Sequence, residues 1–170
     1  LGNLVIRKGA TSGYENRKTV VLQSHVDMVC EKNADVEHDF DNDPILPYIA
    51  DDWVRARGTT LGADDGIGMA VQLALLASAD IPHGPLECLF TVDEETGLTG
   101  AFGLEPGFVQ GRILLNLDSE DDGELFIGCA GGVDTLVTFD YSRVNTEPDH
   151  EAFRLDVSGL KGGHSGDDIH

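Results

Sequence analysis

The amino-acid sequence predicts an α/β fold in which a mainly parallel sheet is flanked by helices. Apolar runs typical of buried strands occur at Thr19–Ser24, Leu86–Val92 and Ile113–Leu117. Segments with helical character separate these runs, and the order strand, helix, strand, helix, strand is typical of parallel sheets with helical crossovers. After Gly128 the pattern changes, and strands with one solvent-exposed face are predicted instead.

The N-terminal region is predicted to hold two strands and a loop. Leu4–Ile6 is apolar and indicates a short strand. Thr19–Ser24 is continuously apolar and rich in β-branched residues, as expected when both faces of a strand are covered. Glu31–Asp52 is acidic and contains prolines, which predicts a long surface loop. We expect Trp53, which follows this loop, to be a packing residue.

A helix is predicted to begin within Gly62–Gly68, with Asp64 and Asp65 at its N-terminal end. The helical period predicts one apolar face made of Ile67, Ala70, Val71, Ala74 and Leu75. Pro82 and Pro85 interrupt the chain before the second buried strand. A glycine-rich turn and a further helix then lead to the third.

The C-terminal region has a different hydrophobic pattern. Val133–Phe139 and Ala152–Val157 alternate apolar and polar residues, which is typical of strands with one solvent-exposed face. A second subdomain or an antiparallel extension is therefore expected to begin near Gly128.

Composition excludes several classes of partner. The 170 residues are 41% hydrophobic, enough for the core of one domain or slightly more. The formal net charge is −20, from 31 acidic and 11 basic residues, which argues against nucleic acid as a partner. The apolar runs are all far shorter than the roughly 20 residues of a membrane span.

The three cysteines Cys30, Cys88 and Cys129 are widely spaced and form no CxxC pair. They are typical of reduced, buried residues in a cytosolic protein, and we predict a cytoplasmic location. The N-terminus is unlike a signal peptide. Because the sequence begins without methionine and inside a predicted strand, we expect it to be part of a longer protein.

Acidic and imidazole side chains follow the ends of the predicted strands. His25 follows the first strand, Glu94 and Glu95 follow the second, Asp118 follows the third, and Asp64 lies where a loop enters the helix. Ligands of open α/β sheets bind outside the carboxyl ends of the strands, so these side chains are expected to meet in one crevice. Crowded carboxylates repel one another, and two divalent cations would neutralise them.

The ligand types favour zinc, with cobalt or manganese as alternatives and calcium disfavoured, because one imidazole accompanies the carboxylates. Asp27 lies two residues from His25 and is placed to hold its second ring nitrogen. Glu94 and Glu95 can divide their work, one binding metal and the other acting as a base. Taken singly, each residue is more often structural, such as a satisfied histidine or a helix N-cap. Their convergence on one sheet edge favours the site.

Five motifs occur in order along the chain. They are SHVDMV, GADDGIGMA, TVDEETGLTGA, NLDSED and GLKGGHSGDDIH. In this combination the sequence resembles the two-zinc aminoacylase and dipeptidase family, and within it the aminoacyl-histidine dipeptidase branch. The resemblance implies an incomplete zinc-peptidase catalytic domain at residues 1–150 and the truncated start of an α+β lid or dimerisation domain at 151–170.

The resemblance also implies roles for single residues. His25 and Asp118 would hold one zinc, Glu95 the other, and Asp64 would bridge both, followed by Asp65 across an unusual peptide bond. The implied catalytic residues are Glu94, as general base, and Asp27, which would orient His25. His164 in GGHSG would bind substrate. A further histidine ligand expected in the family lies beyond the end of this sequence.

The activity implied by the resemblance is hydrolysis of small dipeptides, including Xaa-His dipeptides such as carnosine, by a cytoplasmic homodimer. A related two-metal deacylase or aminopeptidase is an alternative, because the same water activation cleaves many amides. A non-catalytic acidic module that only binds metal is a second alternative.

Overall fold

The computed structural model describes the following residues: 2–119, 123–129, 131, 133 and 135–159. The chain divides into two compact units, Leu1–Asp122 and Gly123–His170. The elements of the first unit are, in chain order, β1 (Leu4–Lys8), β2 (Val20–His25), β3 (Pro47–Ala50), β4 (Trp53–Ala56), α1 (Ala63–Ala77), β5 (Leu86–Thr91), α2 (Glu94–Gly97), α3 (Thr99–Phe102) and β6 (Ile113–Asn116).

The principal sheet has the strand order β1-β5-β2-β6. Strands β5 and β6 run parallel to β2 on either side of it, and β1 pairs antiparallel with β5. The predicted α/β fold with a mainly parallel sheet is confirmed. Because the chain passes from β5 on one side of β2 to β6 on the other, the carboxyl end of β2 lies at a switch in strand order, where α/β sheets bind ligands.

Helix α1 packs on the sheet through a face that differs from the predicted one. The core residues Leu22, Cys88 and Phe90 are covered by partly buried hydrophobic residues that include Met69, Leu75 and Leu76. Ile67, assigned to the inward face from the helical period, is 67% exposed, and Val71 is exposed as well. Gly68 and Gln72 are buried instead, so the face that meets the sheet is offset from the predicted one. Within the described ranges, no helix has the length and apolar character needed to cross a bilayer.

Lys8, at the end of β1, closes the C-terminal end of α1. Its ammonium Nζ donates hydrogen bonds to the carbonyl oxygens of Leu75 at 2.7 Å and Ser78 at 2.6 Å. The last carbonyls of a helix have no partners within the helix, and a cation there also opposes the negative end of the helix dipole. This contact fixes β1 to α1.

Glu87, at the second position of β5, is a buried carboxylate with three donors. It accepts from Arg7 Nε at 2.8 Å and from the backbone amides of Gln110 at 2.7 Å and Gly111 at 2.8 Å. Burial opposes ionisation, but the two amides and the guanidinium outweigh it and hold the pKa of Glu87 below its usual value. Glu87 therefore anchors the segment that leads into β6.

The region predicted as a surface loop contains half of a hairpin. Strand β3 pairs antiparallel with β4 across a turn at Asp51, whose φ is 54°. Because β3 lies within Glu31–Asp52, the loop prediction for this segment was wrong at its C-terminal end. Pro47 stands at the first position of β3, where a strand tolerates proline. Trp53, expected to pack, is 68% exposed.

The predicted burial of all three cysteines is correct for Cys88 alone. Cys30 and Cys129 are exposed, and all three are free thiols. Cys88 is buried because it lies on the central strand β5, beneath α1.

The described residues of the second unit contain neither helix nor strand. The strand predictions for Val133–Phe139 and Ala152–Val157 are therefore wrong for the residues that can be assessed. Apolar residues of both segments, such as Leu136 and Phe153, are exposed. A strand needs a partner for its backbone hydrogen bonds, and an alternating pattern does not supply one. The domain boundary at residue 150 stays a prediction.

Candidate metal centre

The three parallel strands deliver their C-terminal residues to one edge of the sheet. Strand β2 ends at His25, and β5 ends at Thr91, three residues before Glu94. Strand β6 ends two residues before Asp118, and Asp64 lies in the first turn of α1. The parallel arrangement thus places residues from distant parts of the chain side by side.

His25 lies at the centre of this group. Its side chain is 1% exposed, and its Nε2 lies 3.0 Å from Asp64 Oδ1 and 3.8 Å from Asp118 Oδ1. Its Nδ1 lies 2.9 Å from the backbone oxygen of Asp27. Since a carbonyl oxygen only accepts, Nδ1 carries a proton, so Nε2 of the neutral ring has a lone pair available to ligate a cation, and Nε2 of the protonated ring donates to Asp64.

Two groups of side chains have the spacing of metal ligands. Within each group, one ligand atom per residue lies within 4.8 Å of the others: His25 with Asp64 and Asp118, and His25 with Glu94 and Glu95. The structure therefore brings together all five residues placed at this edge from the sequence.

Two carboxylates of this group, those of Asp118 and Glu95, resist ionisation. Burial, a hydrogen bond with Asp64 and the charge of Asp64 raise the pKa of Asp118 to about 7. Burial and the charges of Asp64 and Glu94 raise the pKa of Glu95. Burial lowers the pKa of His25, but the hydrogen bond to Asp64 and the charges of Asp118 and Asp64 outweigh it and raise that pKa overall. The group as a whole favours bound positive charge.

The donor set fits a divalent cation. In the part of the chain that the structure describes, neither lysine nor arginine forms an ion pair with these carboxylates. One buried imidazole with several carboxylate oxygens and no thiolate suits zinc, cobalt or manganese. A cation here would relieve the repulsion that raises the pKa values of Asp118 and Glu95.

Asp27 contacts the backbone of the adjacent turn. Its Oδ1 accepts from the amide of Glu94 and its Oδ2 from the amide of Glu95, both at 3.1 Å. Its carboxylate is farther from the imidazole, with Oδ1 3.4 Å from Nδ1 of His25. Burial raises the pKa of Asp27, but the amides of Glu95 and Glu94 outweigh it and lower that pKa overall. Asp27 thus reaches His25 chiefly through its backbone oxygen, while its carboxylate holds the turn.

Asp65 is a site residue to which sequence reasoning gave no contact. The peptide bond between Asp64 and Asp65, which the family resemblance implied to be unusual, is cis. The buried Asp65 carboxylate accepts from the amides of His25 at 3.3 Å and Gly68 at 3.0 Å. A Cβ at residue 68 would lie 2.2 Å from Asp65 Oδ1, so this contact requires glycine. An aspartate followed three residues later by glycine at a helix start was the available signal.

Asp93 shapes the turn that carries the two glutamates. Its backbone is left-handed, with φ at 62°, and its carboxylate accepts from the hydroxyls of Thr96 and Thr99. These hydrogen bonds lower the pKa of Asp93.

A cavity of about 240 Å³ adjoins the site. Its polar wall includes Glu94 and Asp118, and its apolar wall includes Leu89, Leu98 and Leu114. His164, assigned to substrate binding from the sequence, lies outside the described residues.

A mainly parallel α/β sheet with a buried imidazole and converging carboxylates at its C-terminal edge defines an α/β domain with a candidate divalent-metal site. The chain belongs to peptidase family M20/M25/M40, whose family model matches residues 21–149. The family resemblance drawn from the sequence motifs is thereby confirmed.

Individual relatives carry related names. The chain is 56% identical over all 170 residues to cytosol non-specific dipeptidase of Escherichia coli and spans 35% of that protein. Aminoacylhistidine dipeptidase from Vibrio alginolyticus is 64% identical over 72% of this chain and 25% of its own, with a TM-score of 0.70. Aminopeptidase PepT from Bacillus cereus is 31% identical over 71% of this chain and 30% of its own, with a TM-score of 0.53. The chain therefore spans about a third of the length of these relatives.

Proposed function

We propose that the native polypeptide containing this chain is a metal-dependent dipeptidase that hydrolyses small unblocked dipeptides, Xaa-His dipeptides among them. The observation that carries the proposal is the convergence of His25, Asp64 and Asp118 with Glu94 and Glu95 at one sheet edge. The names of the E. coli and Vibrio relatives support the substrate class.

The proposed cofactors are two zinc ions, with cobalt or manganese as substitutes. His25 and Asp118 would hold one ion, Glu95 the other, and Asp64 would bridge them. The support is the donor set, with raised pKa values at Asp118 and Glu95 that a nearby cation would lower. A divalent cation in such a site supplies Lewis-acid polarisation and acidifies water.

Glu94 is the proposed general base. Its carboxylate would take a proton from the attacking water and return it to the leaving amine. Asp27 would keep Glu94 and Glu95 in place, because its carboxylate binds both of their amides. Its backbone oxygen fixes the tautomer of His25. Asp27 would therefore orient the base and two metal ligands at once.

The proposals for substrate binding, domain bounds and location rest on fewer observations. A cavity of about 240 Å³ beside Glu94 has room for one small side chain. His164 is proposed to bind substrate, and residues 151–170 to begin a lid or dimerisation domain beyond a catalytic domain at 1–150. We further propose a cytoplasmic homodimer that binds neither nucleic acid nor membranes, in line with the acidic charge of −20.

The test is Glu94→Gln in the native polypeptide. Losing the base should reduce kcat for a dipeptide such as carnosine by about 10²- to 10⁴-fold, while the bound zinc per chain stays unchanged. Glu105→Gln, at an exposed glutamate outside the cluster, is the matched control and should keep full activity. Normal turnover by Glu94→Gln would show that the assignment of the base is wrong.

A second candidate is an aminopeptidase that acts on longer peptides, favoured by the similarity to aminopeptidase PepT. Assaying the native polypeptide against a dipeptide, a tripeptide and an N-acyl amino acid separates the candidates. Cleavage confined to the tripeptide would favour the aminopeptidase, and cleavage confined to the N-acyl amino acid would favour a deacylase. Zinc binding without any cleavage would favour a non-catalytic metal-binding module.

A further inference from the structure

Three polar side chains form a hydrogen-bond chain across the sheet beneath the metal centre. Gln23 Nε2 on β2 donates to Thr91 Oγ1 on β5 at 3.1 Å, and Asn116 Nδ2 on β6 donates to Gln23 Oε1 at 2.7 Å. We call these three side chains the polar rung. Gln23 pairs with Asn116 in the parallel ladder, and Thr91 pairs with His25, two residues beyond Gln23. The polar rung therefore lies directly behind the strand ends that carry the candidate ligands.

One end of the polar rung holds the backbone of Asp118. The amide of Leu117 still donates to the backbone oxygen of Gln23, at 2.9 Å, and so continues the β2–β6 ladder. The next amide, that of Asp118, donates instead to Asn116 Oδ1 at 3.2 Å. Side chains of this type often bind the amide two residues on and so set how the chain leaves a strand.

Every hydrogen bond of the polar rung has one possible direction. The amide of Asp118 can only donate, so the Asn116 oxygen faces it and the Asn116 amino group faces Gln23. Gln23 then accepts with its oxygen and donates with its nitrogen to Thr91. The hydroxyl of Thr91 lies 3.3 Å from the backbone oxygen of Ser24 and donates to it. The order of donors and acceptors is thus fixed from β5 to Asp118.

We propose that the polar rung positions Asp118 for metal binding, with Asn116 as the positioning residue that contacts the ligand's backbone. The inference rests on the metal site of the proposed function. Without the Asn116 side chain, the amide of Asp118 turns to water and its carboxylate loses its fixed position beside His25. Changes to residues that orient metal ligands typically lower metal affinity by 10- to 100-fold. Asn116 is exposed, so we expect the lower end of this range, about tenfold.

The test is a cobalt titration of the native polypeptide, followed by the visible absorption of bound Co²⁺. Asn116→Ala should raise the dissociation constant about tenfold. The matched control is Asn42→Ala, because Asn42 is an exposed asparagine whose side chain donates to Asp39 at 2.8 Å, in a loop outside the site. The control should bind cobalt as the wild type does. Equal affinity of Asn116→Ala and wild type would overturn the inference.

A second pair of variants tests the other end of the polar rung. Thr91→Val keeps the buried volume but removes the hydroxyl and both of its hydrogen bonds. We expect the dissociation constant to rise roughly threefold, as for the loss of the one hydrogen bond that holds Gln23. Thr91→Ser restores the hydroxyl and should restore the affinity. Equal affinities for Thr91→Val and Thr91→Ser would overturn the inference, and this pair decides it if Asn116→Ala does not fold.

A double variant separates positioning from general destabilisation. If Thr91 acts through Asn116, Thr91→Val combined with Asn116→Ala should bind cobalt no more weakly than Asn116→Ala alone. Fully additive losses would contradict a connected chain.

Asp118→Ala separates this inference from the proposed function. Loss of tight cobalt binding in Asp118→Ala, together with normal binding in Asn116→Ala, would overturn the positioning role alone. Normal binding in Asp118→Ala would overturn the metal site and the positioning role with it.

Discussion

Replacing Asp27 by Asn should loosen the turn that carries Glu94 and Glu95. The carboxylate accepts one hydrogen bond from each of the two amides, both at 3.1 Å. Asparagine retains one acceptor oxygen and turns an amino group toward the other amide, so one hydrogen bond is lost. The shape of the side chain is otherwise preserved.

The size of the effect follows from the exposure of the contact. A hydrogen bond to a charged group contributes about 1.5–3 kcal/mol. The Asp27 side chain is 26% exposed, so water partly replaces the lost acceptor and the lower end applies. A loss of about 1.5 kcal/mol corresponds to roughly a tenfold larger population of the open turn.

Amide hydrogen exchange measured by NMR on the metal-free chain reports this opening directly. The amide of Glu94 or Glu95 that loses its acceptor should exchange about tenfold faster in Asp27→Asn than in wild type. Asp39→Asn is the matched control, because Asp39 also accepts from a backbone amide, that of Asp41 at 3.0 Å, in a separate loop. Unchanged exchange at both glutamate amides in Asp27→Asn would refute the role given to its carboxylate.

Three further predictions concern stability. Glu87→Gln should lower the free energy of unfolding at pH 7 by about 2 kcal/mol, since a buried carboxylate with three donors loses its charge. Because the pKa of Glu87 is held below its ordinary 4.5, the wild-type advantage should be full above that pH and disappear as the pH falls through the lowered value. Lys8→Met should cost about 1 kcal/mol, because it removes both hydrogen bonds at the end of α1. Zinc at 100 times its dissociation constant should raise the free energy of unfolding by about 2.7 kcal/mol, and a chelator should reverse this.

Urea denaturation monitored by circular dichroism measures all three effects. Glu124→Gln, at an exposed glutamate, and Lys32→Met, at a lysine that binds a loop carbonyl, are controls for the first two. If Glu87→Gln lowers the free energy of unfolding by the same amount at low pH, Glu87 is not ionised in the wild type. If Lys8→Met and Lys32→Met have the same free energy of unfolding, the role given to Lys8 is wrong. If zinc raises the free energy of unfolding of Asp118→Ala as much as that of the wild type, the ion binds outside the proposed site.

Local apolar patterns were sufficient to predict the three parallel strands of the principal sheet. The apolar runs around β2 and β5 predicted strands at nearly the observed bounds, because a fully buried strand needs apolar residues on both faces. Strand β6 also forms where its apolar run predicted a strand, but the expected burial was wrong, because its four residues are exposed. The placement of His25 at one strand end and of Asp118 just past another followed from the same patterns. Their roles as ligands stay predictions.

Local sequence patterns did not predict which segments find a pairing strand in the rest of the chain. Val133–Phe139 alternates like a strand, yet its described residues pair with nothing in the described chain, whereas β3 forms within a predicted loop because β4 lies opposite it. The inward face of α1 was misassigned because the helix carries apolar residues on more than one side, such as Met69 and Leu73, so the helical period alone does not select the face that meets the sheet.

By itself, the sequence determined the α/β class, the strands that carry the site and the residue types that favour a divalent cation. Only the tertiary structure decided that the Asp27 carboxylate holds the turn of Glu94 and Glu95, and that Asn116 holds the amide of Asp118. Apolar periodicity is a property of neighbouring residues, and so it can be read along the chain. Hydrogen bonds between side chains and distant amides depend on distances of a few tenths of an ångström, which arise only when separate strands pack together.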